Sequence, residues 1–378
     1  METVYLGIVI FLFLLAIFDL IVGVSNDAVN FLNSAIGAKA ASFRSIICIA
    51  SIGIFCGAVM SNGMMDIARH GIFRPEAFYF DELICIFLAV MITDIVLLDI
   101  FNTLGMPTST TVSMVFELLG GTFALALLKI ANGPEGLTFA ALLNTEKALT
   151  VILGIFLSVA VAFFFGMLVQ YLSRIIFTFN YKNKLKYTIG LFGGIAVTAI
   201  IYFMLIKGIK DASFMSPEHK LWIKENTLLI VLGCFLFFTI LMQILHGYKI
   251  NVFKVIVLLG TFALAMAFAG NDLVNFIGVP LAGYSGYTDF IAHGNGVSSA
   301  YLMNALNEPA KTPFIFLLLS GIIMVVALTI SKKARNVIKT SVDLSRQEEG
   351  EEIFGSSAIA RSLVRSITAL VTTIAKFI

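Results

Sequence analysis

The sequence predicts an all-α, polytopic membrane protein of about nine transmembrane helices, arranged as an inverted-topology repeat with discontinuous or re-entrant segments. Three observations predict it. Apolar residues make up 59% of the chain and charged residues 13%, against about half and about a quarter in soluble domains. The apolar residues fall in blocks near or above the roughly 20 residues that cross a bilayer as a helix, with the charges collected between blocks. A short polar motif after the first block returns after the eighth.

The blocks lie at 4–24, 45–60, 83–101, 112–130, 148–172, 187–206, 227–245, 252–269 and 313–330. The opening METVYLGIVIFLFLLAIF has no basic n-region, and its apolar run is too long for a signal peptide, so it reads as a permanent span. Between the last two blocks, 270–312 is too rich in Gly, Asn and Ser for a plain helix and too apolar for an exposed loop, which predicts a re-entrant or broken segment. These features divide the chain into 1–206 (a first repeat with connecting helices), 207–330 (the start of a second, inverted repeat) and 331–378.

Basic residues set the orientation. Arg174, Lys182, Lys184 and Lys186 follow the fifth block, and Lys332, Lys333, Arg335 and Lys339 follow the ninth. Both groups are expected on the cytoplasmic side of a cell membrane. Alternate threading then puts Lys249 and Lys254 inside and the N-terminus outside. The tail beyond Ser331 is water-soluble in character at first. It ends with Ile359, Leu363, Ile367, Leu370 and Ile374 on one helical stripe and Arg361, Arg365, Thr372 and Lys376 opposite. An amphipathic helix on the inner leaflet, or one packed on protein, fits that pattern equally.

Several classes are excluded. The basic residues sit in loops, so the net charge of +2 gives no support for nucleic-acid binding. Cys48, Cys56, Cys85 and Cys234 lie inside apolar blocks without ligand spacing and read as small core residues. His70, His219, His246 and His293 are scattered and form no metal motif. No cofactor and no enzymatic activity are expected.

The repeat carries the chemistry. SNDAVNFLNSAIG begins at Ser25 and GNDLVNFIGVPLAG at Gly270. At an offset of 245, Asn26/Asn271, Asp27/Asp272, Val29/Val274, Asn30/Asn275 and Phe31/Phe276 coincide. The first span runs inward and the eighth outward, so the copies arrive from opposite faces, the architecture in which transporters hold ions and substrates near the midplane. An Asp at that depth is a functional candidate by default. The alternative is that Asp27 and Asp272 hydrogen-bond backbone and hold breaks in place, which would not explain the matching Asn residues. A second element, GMPTSTT at 105–111, opens the fourth block. Pro is at home in a first helical turn, and hydroxyls beside unpaired N–H groups form an uncharged anion cradle or, more simply, an N-cap.

At VSNDAVNF, AGNDLVNF and GMPTSTT the sequence resembles the inorganic phosphate transporter family of cation–phosphate symporters, marked by GANDVANA-like segments in each half and by PxSTT helix openings. The resemblance covers most of 1–330. It implies that Asn26, Asn30, Ser109, Thr110, Thr111, Asn271 and Asn275 contact phosphate, that Asp27 and Asp272 hold the cation (Na⁺ if sodium-coupled), and it suggests a homodimer. Two departures stand out. Val112 occupies the position where the family often has His. No second PxSTT segment follows Asp272 as far as Ile378, so 1–378 is expected to be an N-terminal portion of a longer protein or to be completed by a partner chain.

The expected activity is cation-coupled symport of inorganic phosphate, because two carboxylates beside an oxyanion repel it unless Na⁺ or a proton sits between them. Sulfate or another oxyanion, a channel and a non-transporting scaffold remain alternatives. Asp94 is a further cation candidate, deepest in its block, and Asp19, Asp99 and Glu117 are each open to ion-ligand, proton-carrier or structural roles.

Overall fold

Backbone amides in an apolar surrounding have no water to bond, and a helix satisfies them within one segment. The computed structural model describes residues 2–61, 71–132, 137–177, 185–204, 216–294, 296–307, 312–344 and 358–375. It contains α1 Glu2–Gly37, α2 Phe43–Met60, α3 Phe80–Leu104, α4 Thr110–Asn132, the short α5 Phe139–Leu142, α6 Thr145–Phe177, α7 Leu185–Phe203, α8 Pro217–Glu225, α9 Thr227–Gly247, α10 Val252–His293, α11 Phe314–Ile330, α12 Lys332–Leu344 and α13 Ala358–Ala375. Among the described residues, β pairing is limited to the isolated bridges Phe73–Leu143 and Tyr79–Leu302.

Each predicted block coincides with a helix, but among the described residues seven helices are long and apolar enough to cross a membrane: α1, α2, α3, α4, α6, α9 and α10. The pair α11–α12, bent by 67°, makes an eighth if it is one span. The apolar part of α7, Thr188–Phe203, is shorter than the rest. Residues 205 and 206 of the sixth block lie outside the described residues. α6 buries almost none of its apolar surface (Phe163 is 74% exposed), as expected of a helix facing lipid.

Three expectations are corrected. Neither motif copy sits at a break: α1 continues through Asn26 and Asp27 to Gly37, and α10 continues through Asp272 to His293. The reading of 270–312 as broken holds only beyond His293, where 3-10 turns at Ser298–Ala300 and Asn304–Asn307 follow; 270–293 stays helical because its glycines serve close packing. A Cβ on Gly283 would come within 3.0 Å of Leu12 Cδ1, and one on Gly286 within 2.2 Å of the Met303 methyl. Small residues at helix contacts let apolar helices approach, and a helix tolerates them when neighbours compensate. At about 1.5 Å per residue, α10 is roughly twice as long as the hydrocarbon core is thick. Secondly, 332–344 is no free loop. It forms α12, which buries Ala334, Val337 and Ile338 under the bundle, pairs Lys333 with Asp99 at 2.6 Å and accepts Asn33 Nδ2 on Ser341 Oγ at 2.9 Å. Thirdly, Cys48 and Cys85 are exposed on the helix surface rather than enclosed in the core. Of the tail stripe, Lys376 lies outside the described residues, while Val364 and Ile367 of α13 are exposed.

The core that positions the motifs is a three-helix contact of α1, α2 and α10. Tyr5 meets Phe290, Phe13 meets Tyr284 and Phe31 meets Phe268. Numbers rise along α1 as they fall along α10, so the helices are antiparallel and the motif copies face each other. α2 lies against α10 through Gly53 and Gly57, where a Cβ would stand 2.5 Å from Phe262 O and 2.1 Å from Met266 O.

α3 ends on Gly105, at φ 71°, a left-handed C-cap. A Cβ there would meet Thr340 Oγ1 of α12 at 3.0 Å. Gly105→Ala should therefore lower stability by about 1–2 kcal/mol, from left-handed strain alone. Its melting temperature in detergent, compared with wild type, checks this; an unchanged value would mean the turn relaxes freely.

Candidate functional site at the meeting of the two motifs

Asn26 fixes the turn between α3 and α4. Its Nδ2 donates to Asn102 Oδ1 at 2.8 Å and to Met106 O at 3.1 Å, and its Oδ1 accepts Thr108 N–H at 2.8 Å. Asn102 Nδ2 donates in turn to Val22 O at 2.7 Å, so α1, α3 and the turn form one hydrogen-bonded unit. Asn26 and Asn102 are fully buried. Asn102 was not singled out in the sequence; its signal was an amide inside an apolar block three residues before Gly105.

The turn then delivers the hydroxyls. Helix α4 begins at Thr110, so Pro107 precedes the helix instead of sitting in its first turn. Ser109 is exposed, and its Oγ accepts Val112 N–H at 3.3 Å, which makes it the N-cap. Thr110 is buried and donates to Asp27 Oδ2 at 3.2 Å. Asn275 Nδ2 lies 2.9 Å from Thr111 Oγ1, 3.3 Å from Thr110 Oγ1 and 3.4 Å from Asp272 Oδ1.

Residues from the two motif copies therefore converge. Asp27 on α1 connects through Thr110 and Asn275 to Asp272 on α10, at the N-terminus of α4. All four are buried. The donors are hard oxygens, suited to a small alkali cation, and the hydroxyls and amide can face an anion at a helix N-terminus. Among the described residues no set of three or more His, Cys, Asp or Glu converges in metal-holding geometry, so a cation here would depend on hydroxyl or substrate oxygens as well.

Not every predicted residue joins this group. Asn30 and Asn271 are exposed. They are the repeat mates of Asn275 and Asn26, which grip the α4 opening, so the two motifs are used asymmetrically in this chain. Asp94 is buried but belongs to a second cluster: Ser113 Oγ lies 2.6 Å from Asp94 Oδ1 and 2.8 Å from Glu117 Oε1, with Asp19 beside them. Asp99 forms the ion pair with Lys333. Ser113 was missed in the sequence because a Ser one turn into a helix carries no distinguishing signal.

A sequence profile described as the phosphate transporter family matches residues 23–372. The chain belongs to the phosphate transporter family. That family is one of transporters, which agrees with the expectation that the chain is not an enzyme. A protein of Thermococcus kodakarensis, provisionally named a phosphate permease, is 30% identical over 111 residues, 29% of this chain and 27% of that protein. The matched region thus spans about a quarter of the relative's length. A solved structure titled as a sodium-dependent phosphate transporter is 21% identical, with a TM-score of 0.63 over 89% of this chain and 82% of that one. It shares the fold. Both motif copies and the α4 opening lie inside the matched family region.

Proposed function

We propose that this chain takes part in cation-coupled symport of inorganic phosphate. Phosphate sits at the α4 N-terminus, against Thr110, Thr111 and Asn275, and Na⁺ or a proton sits with Asp27 and Asp272. The observation that carries this reading is the hydrogen-bonded connection from Asp27 through Thr110 and Asn275 to Asp272. A carboxylate and a phosphate charge about 4 Å apart repel by about 4 kcal/mol at an effective dielectric of 20. A cation between them reverses that sign, so anion and cation bind together or poorly. That is the physical basis of coupling.

Ser109, Asn30 and Asn271 are exposed and receive at most a peripheral role in this reading; Asn26 acts through the turn it holds. The N-terminus is read as outside and the tail as cytoplasmic, from the distribution of Lys and Arg. The similar proteins, a phosphate permease by name and a sodium-dependent phosphate transporter, support phosphate as the anion and sodium as a cation to test first.

The test is uptake of radiolabelled phosphate into proteoliposomes, with Na⁺ and pH gradients imposed separately and sulfate as competitor. Uptake should saturate and should fall to the leak when the coupling gradient is removed. Uptake indifferent to both gradients, or lost to sulfate at equal concentration, would refute phosphate symport.

A further inference from the structure

The second cluster, behind the proposed phosphate site, is unusual in its chemistry. Asp19 comes from α1, Asp94 from α3, and Ser113 and Glu117 from α4. Asp19 is 0% exposed and Asp94 1% exposed. Among the described residues, no donor reaches Asp19 Oδ1, Asp19 Oδ2, Asp94 Oδ2 or Glu117 Oε2. The carboxyls instead neighbour one another: Asp19 lies beside Asp94, and Asp94 beside Glu117. Ser113 has one hydrogen and two carboxyl oxygens to serve, at 2.6 and 2.8 Å.

Such an arrangement is unstable as three carboxylates. A buried charge needs a partner, and an acceptor facing an acceptor is a repulsion rather than a bond. The ion pairs of the described residues leave this cluster out: Lys129 binds Glu82, His293 binds Asp289 and Lys333 binds Asp99. The ionisable groups facing the cluster are Asp19 and Asp27 on α1, Asp94 on α3 and Glu117 on α4. All are acids. The three carboxyls also fail to converge as a metal set. A hydrogen on a carboxyl turns each acceptor–acceptor contact into an O–H···O bond without any movement.

We infer that Asp19, Asp94 and Glu117, bridged by Ser113, form a proton-binding site separate from the phosphate site. The donorless, wholly buried Asp19 aimed at Asp94 from another helix is the observation that distinguishes it from an ordinary acidic patch. Its coupling to the phosphate site rests on the function proposed above. Ser113 is one turn beyond Thr110 on α4, and Asp94 acts electrostatically on Asp27. A full proton load leaves the neighbourhood of Asp27 less negative and admits an anion. Loss of a proton as pH rises adds a negative charge there and opposes it.

Infrared difference spectroscopy of the full chain in lipid tests the site without requiring transport. Wild type should show carbonyl-stretch bands of protonated carboxylic acid at neutral pH, shifted by deuteration. Asp19→Asn and Glu117→Gln, which preserve shape and supply a donor, should each lose part of that band, while Asp99→Asn, outside the cluster, should not. Ser113→Ala, which leaves every acid in place, should shift the band and so guards against misfolding of the other variants. A wild-type band unaffected by all three cluster substitutions would overturn the proposal, as would ²²Na⁺ binding abolished by those same substitutions. If the site is confirmed, wild-type phosphate uptake should fall severalfold more steeply with rising pH than that of Glu117→Gln, the anion's own titration being common to both. Expected bands with no phosphate uptake would refute the symport reading and leave the proton site standing.

Discussion

Asp27→Asn and Asp272→Asn are each expected to reduce coupled phosphate uptake by roughly two orders of magnitude, with the protein still folded. The two carboxylates come from different helices and meet through Thr110 and Asn275. Asn matches Asp in shape, and at position 27 its amide oxygen can still accept from Thr110, so the packing of α1 against α10 survives. The formal charge does not. Truncating one member of a buried charged pair costs about 2–5 kcal/mol, on the order of 10²-fold in affinity. The measurement is initial uptake rate against cation concentration in proteoliposomes. The apparent cation affinity should weaken before the phosphate affinity does, because in the proposed site the carboxylate is the group that holds the cation. If both variants transport at wild-type rates, the site assignment fails.

The second large effect is structural and separates residues that the sequence makes equivalent. Asn26→Ala should destabilise the protein by several kcal/mol, whereas Asn271→Ala should leave its melting temperature nearly unchanged. Asn26 is buried with three bonds to Asn102, Met106 and Thr108. Its removal orphans buried groups at about 1–3 kcal/mol each, partly offset where water enters. It also releases the turn that aims Thr110 at Asp27, so uptake should fall along with stability. Asn271 occupies the same motif position but is exposed. Thermal unfolding of the two variants side by side, in the same detergent, checks the contrast. Equal losses would mean that Asn271 is held by something beyond the described contacts.

Those two positions also show how far the sequence could be read. The motif echo paired Asp27 with Asp272 and the span count sent the two copies in from opposite faces; in the structure α1 and α10 pack antiparallel, with the copies side by side. The echo could not say which Asn of each pair turns inward. Burial is decided by the neighbour: α4 opens against one side of the meeting point, and it engages Asn26 and Asn275 while Asn30 and Asn271 remain exposed. Asp94 illustrates the same limit. Its depth in an apolar block marked it as functional, yet only the packing of α1, α3 and α4 put it with Asp19 and Glu117 instead of with Asp27.

By itself the sequence determined the membrane solvent, the helical class and the positions of the blocks, and it marked Asp27, Asp272, Asn26 and Asn275 among the polar residues inside them. These follow from local quantities: the length and hydropathy of a run, and the cost of placing Asn or Asp inside it. The tertiary structure alone decided that α1 and α10 continue unbroken, that Gly283 and Gly286 are packing contacts, that α12 docks under the bundle, and that the acids divide into two clusters. Each of those depends on which surfaces meet across distant parts of the chain, and a one-dimensional pattern of polarity contains no such distances.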